Sequence, residues 1–197
     1  MENILSPLVL AGLLCAAMQL TAAETNSPLA MKLQDQAKAS GDKQLTSITS
    51  DLTGKLQAYA VSLGNNPEIK AKLDDILKSL TGGKDSAALT SAYKLTTGAK
   101  LTSEQTNLAK QIGNLASAFT VQKNFASLEG SQSDVASVVA SLRKGELTNL
   151  VTPLQNIGKN AKLTPGQKEL FGTLMDNYAP GLKKATDSIK NVKIPGL

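Results

Sequence analysis

From Leu45 onward, apolar residues return at three- and four-residue steps: Leu45, Ile48, Leu52, Leu56, Tyr59 or Ala60, and Leu63. That spacing places them on one face of a helix. Gly64-Asn65-Asn66 ends the run. Pro67, suited to a first helical position with Asn66 as cap, opens a second helix carrying Ile69, Leu73, Ile76, Leu77 and Leu80. Thr81-Gly82-Gly83 then breaks the chain, and Asp85 begins a short helix with Leu89, Tyr93 and Leu95 on its apolar side, closed by Gly98.

Thr102-Ser103-Glu104-Gln105 reads as a capping box, in which the Thr hydroxyl and the Gln side chain satisfy otherwise unpaired backbone amides reciprocally. The helix it starts carries Leu108, Ile112, Leu115, Phe119, Phe125 and Leu128, and Glu129-Gly130-Ser131 interrupts it. A third unit runs from Asp134 through Val135, Val138, Val139, Leu142, Leu147, Leu150, Val151, Leu154 and Ile157 to Gly158. Gly145 and Pro153 lie inside it and predict a kink or a split. Thr164-Pro165-Gly166-Gln167 repeats the capping signature ahead of Leu170, Phe171, Leu174, Tyr178, Leu182 and Ile189, with Pro180-Gly181 expected to bend or break that last helix.

No stretch reads as a strand. The pattern predicts an all-α protein, an irregular antiparallel bundle of about three helical hairpins; the alternative is a short array of hairpin repeats with a groove. The hairpins fall at about 42–81, 82–129 and 130–192 of one domain, 42–192, followed by an extended tail at 193–197. Residues 24–41 are a polar linker or a short helix. Two sequence echoes hint at duplication: Ser79-Leu80-Thr81-Gly82 with Ser127-Leu128-Glu129-Gly130, and Gly98 to Thr102 with Gly158 to Thr164, the second carrying two extra residues. Convergent capping chemistry explains such echoes equally well.

Composition narrows the chemistry. The 197 residues, 41% of them hydrophobic, suffice to bury a core without disulfides or metals. Aromatics are only 3%, so that core must be aliphatic. Ile4 to Ala23 carries no charge and ends in Thr21-Ala22-Ala23, so residues 1–23 are read as a secretory signal peptide cut before Glu24, with no membrane span left after cleavage. The alternative is an uncleaved anchor, disfavoured by Pro7 and Gln19. Leu14 before the single cysteine, Cys15, argues against lipid attachment there. Export, periplasmic or to the outside, then yields a mature chain with neither histidine nor cysteine. Zinc and haem sites built on those residues, thiol nucleophiles and His-dependent acid-base work are excluded. No cofactor, metal or catalytic residue is assigned.

The remaining reactive groups are carboxylates, Ser, Lys and Tyr. Asp74-Asp75, the one adjacent acidic pair, lies between Leu73 and Ile76 with Lys72 and Lys78 nearby, the arrangement of a solvated helix face rather than of two carboxylates across a cleft. Ser91-Ala92-Tyr93-Lys94 has the spacing of a Ser-Lys dyad but none of the companion motifs, and reads as a helix turn with Tyr93 packed inward. Thr81-Gly82-Gly83-Lys84-Asp85 lacks the first glycine of a phosphate loop and reads as a turn.

Formal charge is +5, from 21 basic and 16 acidic residues, and loss of the leader removes Glu2 and no basic residue. Lysines gather at Lys70, Lys72, Lys78 and Lys84 and again at Lys183, Lys184, Lys190 and Lys193, while Arg143 is the one arginine. A nucleic-acid partner is not expected of an exported chain with so few arginines and aromatics; a protein partner or an anionic envelope surface is. Leu101-Thr102-Ser103-Glu104-Gln105 and Leu163-Thr164-Pro165-Gly166-Gln167 resemble the paired Leu-Thr-x-x-Gln motifs of the small helical periplasmic stress chaperones of the Spy and CpxP type. The likeness covers ten residues in two pieces. This chain is longer than members of that family and lacks their Arg- and Met-rich helices, so the resemblance implies no more than a non-enzymatic envelope role. The expected function is accordingly a non-catalytic exported module for binding, structural or chaperone-like work. The alternatives are a hydrolase or lyase using carboxylate, Ser or Lys chemistry, and a helical protein active at membrane surfaces.

Overall fold

A computed structural model of the chain describes residues 27–63, 67–96 and 101–178. Among them are eight α-helices and no strand, so the protein is an all-α bundle. The helices are α1 (Pro28–Ala39), α2 (Lys43–Leu63), α3 (Pro67–Thr81), α4 (Asp85–Tyr93), α5 (Ser103–Phe125), α6 (Gln132–Lys144), α7 (Val151–Asn160) and α8 (Pro165–Tyr178). Short 3₁₀ turns extend α4 (Lys94–Thr96) and precede α7 (Leu147–Leu150). The leader with Cys15, the cap assigned to Asn66, the lysines from Lys183 onward, the apolar positions Leu182 and Ile189, Pro180-Gly181 and the tail lie outside the described residues.

The segment open between linker and helix is helix α1. Pro28 occupies its first turn, and Ala30, Leu33 and Ala37 bury a narrow stripe against α2 and α3. At its far end the Gln36 side-chain amide donates to the Thr81 carbonyl, 3.2 Å away. Asp42 caps α2, with Oδ1 accepting from the amides of Gln44 at 2.8 Å and Leu45 at 3.0 Å. Helix α2 lies mainly along α5 and only lightly against α3. Its apolar stripe is the predicted one, Leu45, Ile48, Leu52, Leu56 and Tyr59, with Tyr59 and not Ala60 fully enclosed. Thr49 and Thr53 share that face because each hydroxyl donates to a carbonyl one turn back, at 2.8 Å.

Helix α5 is central. It packs on α2, α4 and α6, and every residue from Leu115 to Gln122 is buried. A helix enclosed on all sides needs small residues, and Ala109, Gly113, Ala116, Ser117, Ala118 and Thr120 supply them. A Cβ on Gly113 would stand 3.3 Å from the Ala92 carbonyl oxygen, so α4 approaches α5 backbone to side. Asp85 at the start of α4 is tied to α5 by Lys123 at 3.0 Å and by the Asn124 side-chain amide at 3.0 Å.

The predicted split falls at Gly145. Its left-handed φ of +74° ends α6, with Gly145 N–H donating to Leu142 and Glu146 N–H to Ser141. Pro153 sits in the first turn of α7, where its missing N–H costs nothing. The same exit closes α3: Gly83 at φ +71° donates to Leu80, and Lys84 donates to Ser79. Ser79-Leu80 therefore corresponds to Ser141-Leu142, not to Ser127-Leu128. A step of 62 residues relates these exits, and the same step carries Thr102 and Gln105 onto Thr164 and Gln167 with no insertion between. It also carries the buried positions Ile76, Leu77 and Leu80 onto Val138, Val139 and Leu142, and Ala92 and Leu95 onto Leu154 and Ile157. The echo is thus structural, in a register different from the one that matching letters suggest.

Two side chains depart from their expected places. Tyr93 is 55% exposed, because the nine-residue α4 turns Ala88, Leu89 and Ala92 inward and leaves Tyr93 on the rim. Leu147 is 40% exposed, since the 3₁₀ turn after Gly145 takes it off the α6 stripe.

Candidate functional site

Each capped helix start is anchored twice. In α5 the Thr102 hydroxyl accepts from the Gln105 amide at 3.2 Å and the Gln105 carboxamide oxygen accepts from Thr102 N–H at 2.9 Å, completing the predicted box. Gln105 Nε2 then donates to the Ser62 carbonyl at 2.8 Å, near the end of α2. In α8, Thr164 and Gln167 repeat the box, and Gln167 Nε2 donates to the Asn124 carbonyl at 2.8 Å, near the end of α5. Both cross-helix bonds span 43 residues. A Gln in this position caps its own helix and ties it to the end of the helix three before it in the chain.

Beyond these starts the two helices part. Helix α5 stays along α2, whereas α8 touches α5 lightly and packs on α4. Phe171 holds α8 near α7, where a Cβ on Gly158 would lie only 3.1 Å from the ring. At the far end Tyr178 brings its hydroxyl 2.8 Å from Ser117 Oγ and 3.4 Å from the Gly113 carbonyl on α5. Burial raises the Tyr178 hydroxyl to about 12; the Ser117 hydrogen bond acts the other way and Tyr93 adds a smaller upward push. Tyr178 is therefore a neutral hydrogen-bonding strut at any physiological pH.

These placements leave a groove of about 1260 Å³. One wall is the outer face of α2, with Asp51, Lys55 and Ala58; the other is α5, with Asn107, Lys110, Gln111 and Asn114. Lys144 and Leu147 close one side, Tyr93, Asn177 and Tyr178 another. Four cations, Lys55, Lys110, Arg143 and Lys144, face a single carboxylate, Asp51. Arg143 holds that carboxylate at 2.6 Å and also donates to Ser47 at 3.0 Å. Among the described residues the three lysines have no ion-pair partner. Asn177 Nδ2 is buried with no hydrogen-bond partner.

Among the described residues, no hydrogen bond joins a serine to a lysine and no second carboxylate joins Asp51 in the lining of the groove. Its one lining carboxylate is held by Arg143, and burial keeps the Tyr178 hydroxyl protonated, less acidic than an ordinary phenol. Asp74 and Asp75 lie elsewhere, on α3, where Asp75 sits 4.0 Å from Lys78 in an exposed pair. Ser91 lies in α4 and Lys94 in the 3₁₀ turn that follows it, and Gly82 to Lys84 form the turn between α3 and α4. No group of three or more metal-ligating side chains occurs among the described residues, and no helix there is long and apolar enough to cross a membrane.

Sequence reasoning missed the groove, although one signal was available. Asn107, Gln111 and Asn114 recur at helical spacing beside the aliphatic stripe of α5, with Lys110 next to them, as Asp51, Lys55 and Ala58 do on α2. Polar stripes of this kind are usually read as solvated faces, and which of them lines a concavity depends on the path of α8. Compared with known protein families, curated proteins and solved structures, the chain matches none. The likeness to the periplasmic stress chaperones therefore stays with ten residues that capping chemistry itself explains.

Proposed function

We propose that the protein is an exported, non-catalytic binding module whose working surface is the groove between α2 and α5. The observation that carries this reading is the lining. Lysines with no ion-pair partner among the described residues converge with carboxamides on a concave surface whose one lining carboxylate, Asp51, is neutralised by Arg143. A glycosidase needs two free carboxylates and a Ser-Lys hydrolase needs the two in contact, whereas capture of an anion needs only fixed cations and hydrogen-bond partners. The apolar leader supports export, and an excess of positive charge suits an anionic envelope.

The test is co-sedimentation of the full chain with anionic envelope material from cells that make it, across a salt series. Binding is expected to fall steeply with salt, as it must for exposed charges, and to weaken about tenfold in the Lys55→Gln, Lys110→Gln, Lys144→Gln variant. Undiminished binding by that variant, or hydrolytic turnover that Asp51→Asn abolishes, would overturn the reading. N-terminal sequencing of the exported protein is expected to begin at Glu24; a chain beginning at Met1 would defeat the export part.

A further inference from the structure

We infer that the groove accepts an acidic oligosaccharide, a chain of sugar rings carrying carboxylates. The inference rests on the binding reading above and adds the ligand class. Three features of the lining support it together.

The first is the mixture of polar groups. Lys55, Lys110 and Lys144 supply donors for carboxylates, but Asn107 and Gln111 each present a carboxamide, which both donates and accepts, with Asn114, whose oxygen lies 3.4 Å from the Tyr178 hydroxyl, beside them. A phosphate or an isolated carboxylate only accepts, and would leave the carboxamide oxygens unmatched. A sugar hydroxyl donates and accepts, so pyranose hydroxyls satisfy both ends of a carboxamide.

The second is Tyr93. The residue is 55% exposed on the rim, placing an aromatic side chain beside the carboxamides and lysines of the groove. The C–H face of a pyranose is apolar and flat enough to lie against such a ring, while its hydroxyl edges face the carboxamides. The third is size and shape. A volume of about 1260 Å³ exceeds the roughly 300–1,000 Å³ of an ordinary small-molecule pocket, which suits an oligomer. A flat lipid headgroup layer does not fit a concave surface.

An acidic peptide is the nearest rival. Peptide grooves draw affinity from apolar anchor pockets or from a free sheet edge; here Leu115 is buried and Tyr178 tied to Ser117, leaving Leu147, the rim residue Tyr93 and alanines, with no strand among the described residues.

The experiment is calorimetric titration of the full chain with an oligogalacturonate, a neutral oligosaccharide of the same length, a poly-glutamate peptide of matched charge, and anionic phospholipid vesicles. Saturable binding of the oligogalacturonate is expected, at least about tenfold tighter than that of the other three. The Lys55→Gln, Lys110→Gln, Lys144→Gln variant should lose about tenfold, and Tyr93→Ala about fivefold for the oligogalacturonate alone. Lys32→Gln, Lys38→Gln, Lys159→Gln removes the same charge outside the groove and should bind as the parent does. All these side chains are exposed or partly exposed, and unchanged circular dichroism confirms that each variant folds. Poly-glutamate or vesicles binding as well as the oligogalacturonate, with the same groove dependence, would overturn the sugar inference and leave the binding reading standing. Absence of groove-dependent binding in both this titration and the envelope sedimentation would remove both.

Discussion

Helices α5 and α8 start alike and end differently. Each opens with a Thr-x-x-Gln box whose Gln reaches back to the helix three before it, yet α5 is enclosed on every side from Leu115 to Gln122 while α8 buries only Leu170, Leu174 and Met175. Capping fixes where a helix begins, because it needs nothing beyond four residues. Side-chain size fixes where the helix goes. Ala109, Gly113 and Ala116 let α2 and α4 approach α5, whereas Phe171 on α8 fills the space above Gly158. The groove is the consequence, since α8 crosses to α4 and leaves the α2–α5 face open.

The comparison breaks most visibly at the aromatic residues. Phe125→Ala, at 1% exposure on α5, is expected to cost about 3–5 kcal/mol, while Phe171→Ala on half-buried α8 should cost roughly half as much. Urea denaturation midpoints of the two variants measure the difference, and equal losses would mean that α8 is as deeply built in as α5. Glycine substitutions should differ in sign. Gly113→Leu drives a side chain into the Ala92 carbonyl and is expected to lose about 1–3 kcal/mol, whereas Gly172→Ala on α8 meets nothing within 4 Å and should gain about 0.5–1 kcal/mol from helix propensity. The helix starts, by contrast, should behave alike: Thr102→Ala and Thr164→Ala are each expected to cost about 1 kcal/mol. A gap larger than that between them would show the two boxes to be unequal despite matching geometry.

These differences mark what the sequence could and could not disclose. The boxes at Thr102 and Thr164, the stripe of α2 and the break at Gly145 were legible because each depends on neighbours within a few residues. The register of the repeat was not: Ser-Leu-x-Gly occurs at both 79–82 and 127–130, but the shared backbone exit is at Gly83 and Gly145, marked by the bonds from Lys84 N–H to Ser79 and from Glu146 N–H to Ser141, which depend on the folded backbone. Tyr93 was misplaced because two turns of helix carry too little periodicity to choose between Ala92 and Tyr93 as the inward residue. The groove stayed hidden for a different reason. Asn107, Lys110 and Gln111 look like any solvated face until the path of α8 decides which faces surround a concavity.

Helix α2 offers the finest contrast, because its start is capped by a carboxylate instead of a threonine. Burial pushes the Asp42 carboxyl up, but the hydrogen bond from Gln122 at 2.7 Å and those from the Leu45 and Gln44 amides outweigh it and hold the group below its ordinary range. A lowered carboxyl adds stability that is whole above the unfolded value, near about pH 4, and is lost as pH falls through the lower folded value. Asp42→Ser keeps an oxygen for the cap but loses the charge and the Gln122 bond. It should therefore be less stable than the parent by about 1 kcal/mol at pH 6, with the gap narrowing below about pH 4. Denaturation midpoints of parent and variant between pH 6 and pH 3 measure this. A gap that stays constant would assign the α2 start to cap geometry alone, making it equivalent to the threonine starts of α5 and α8.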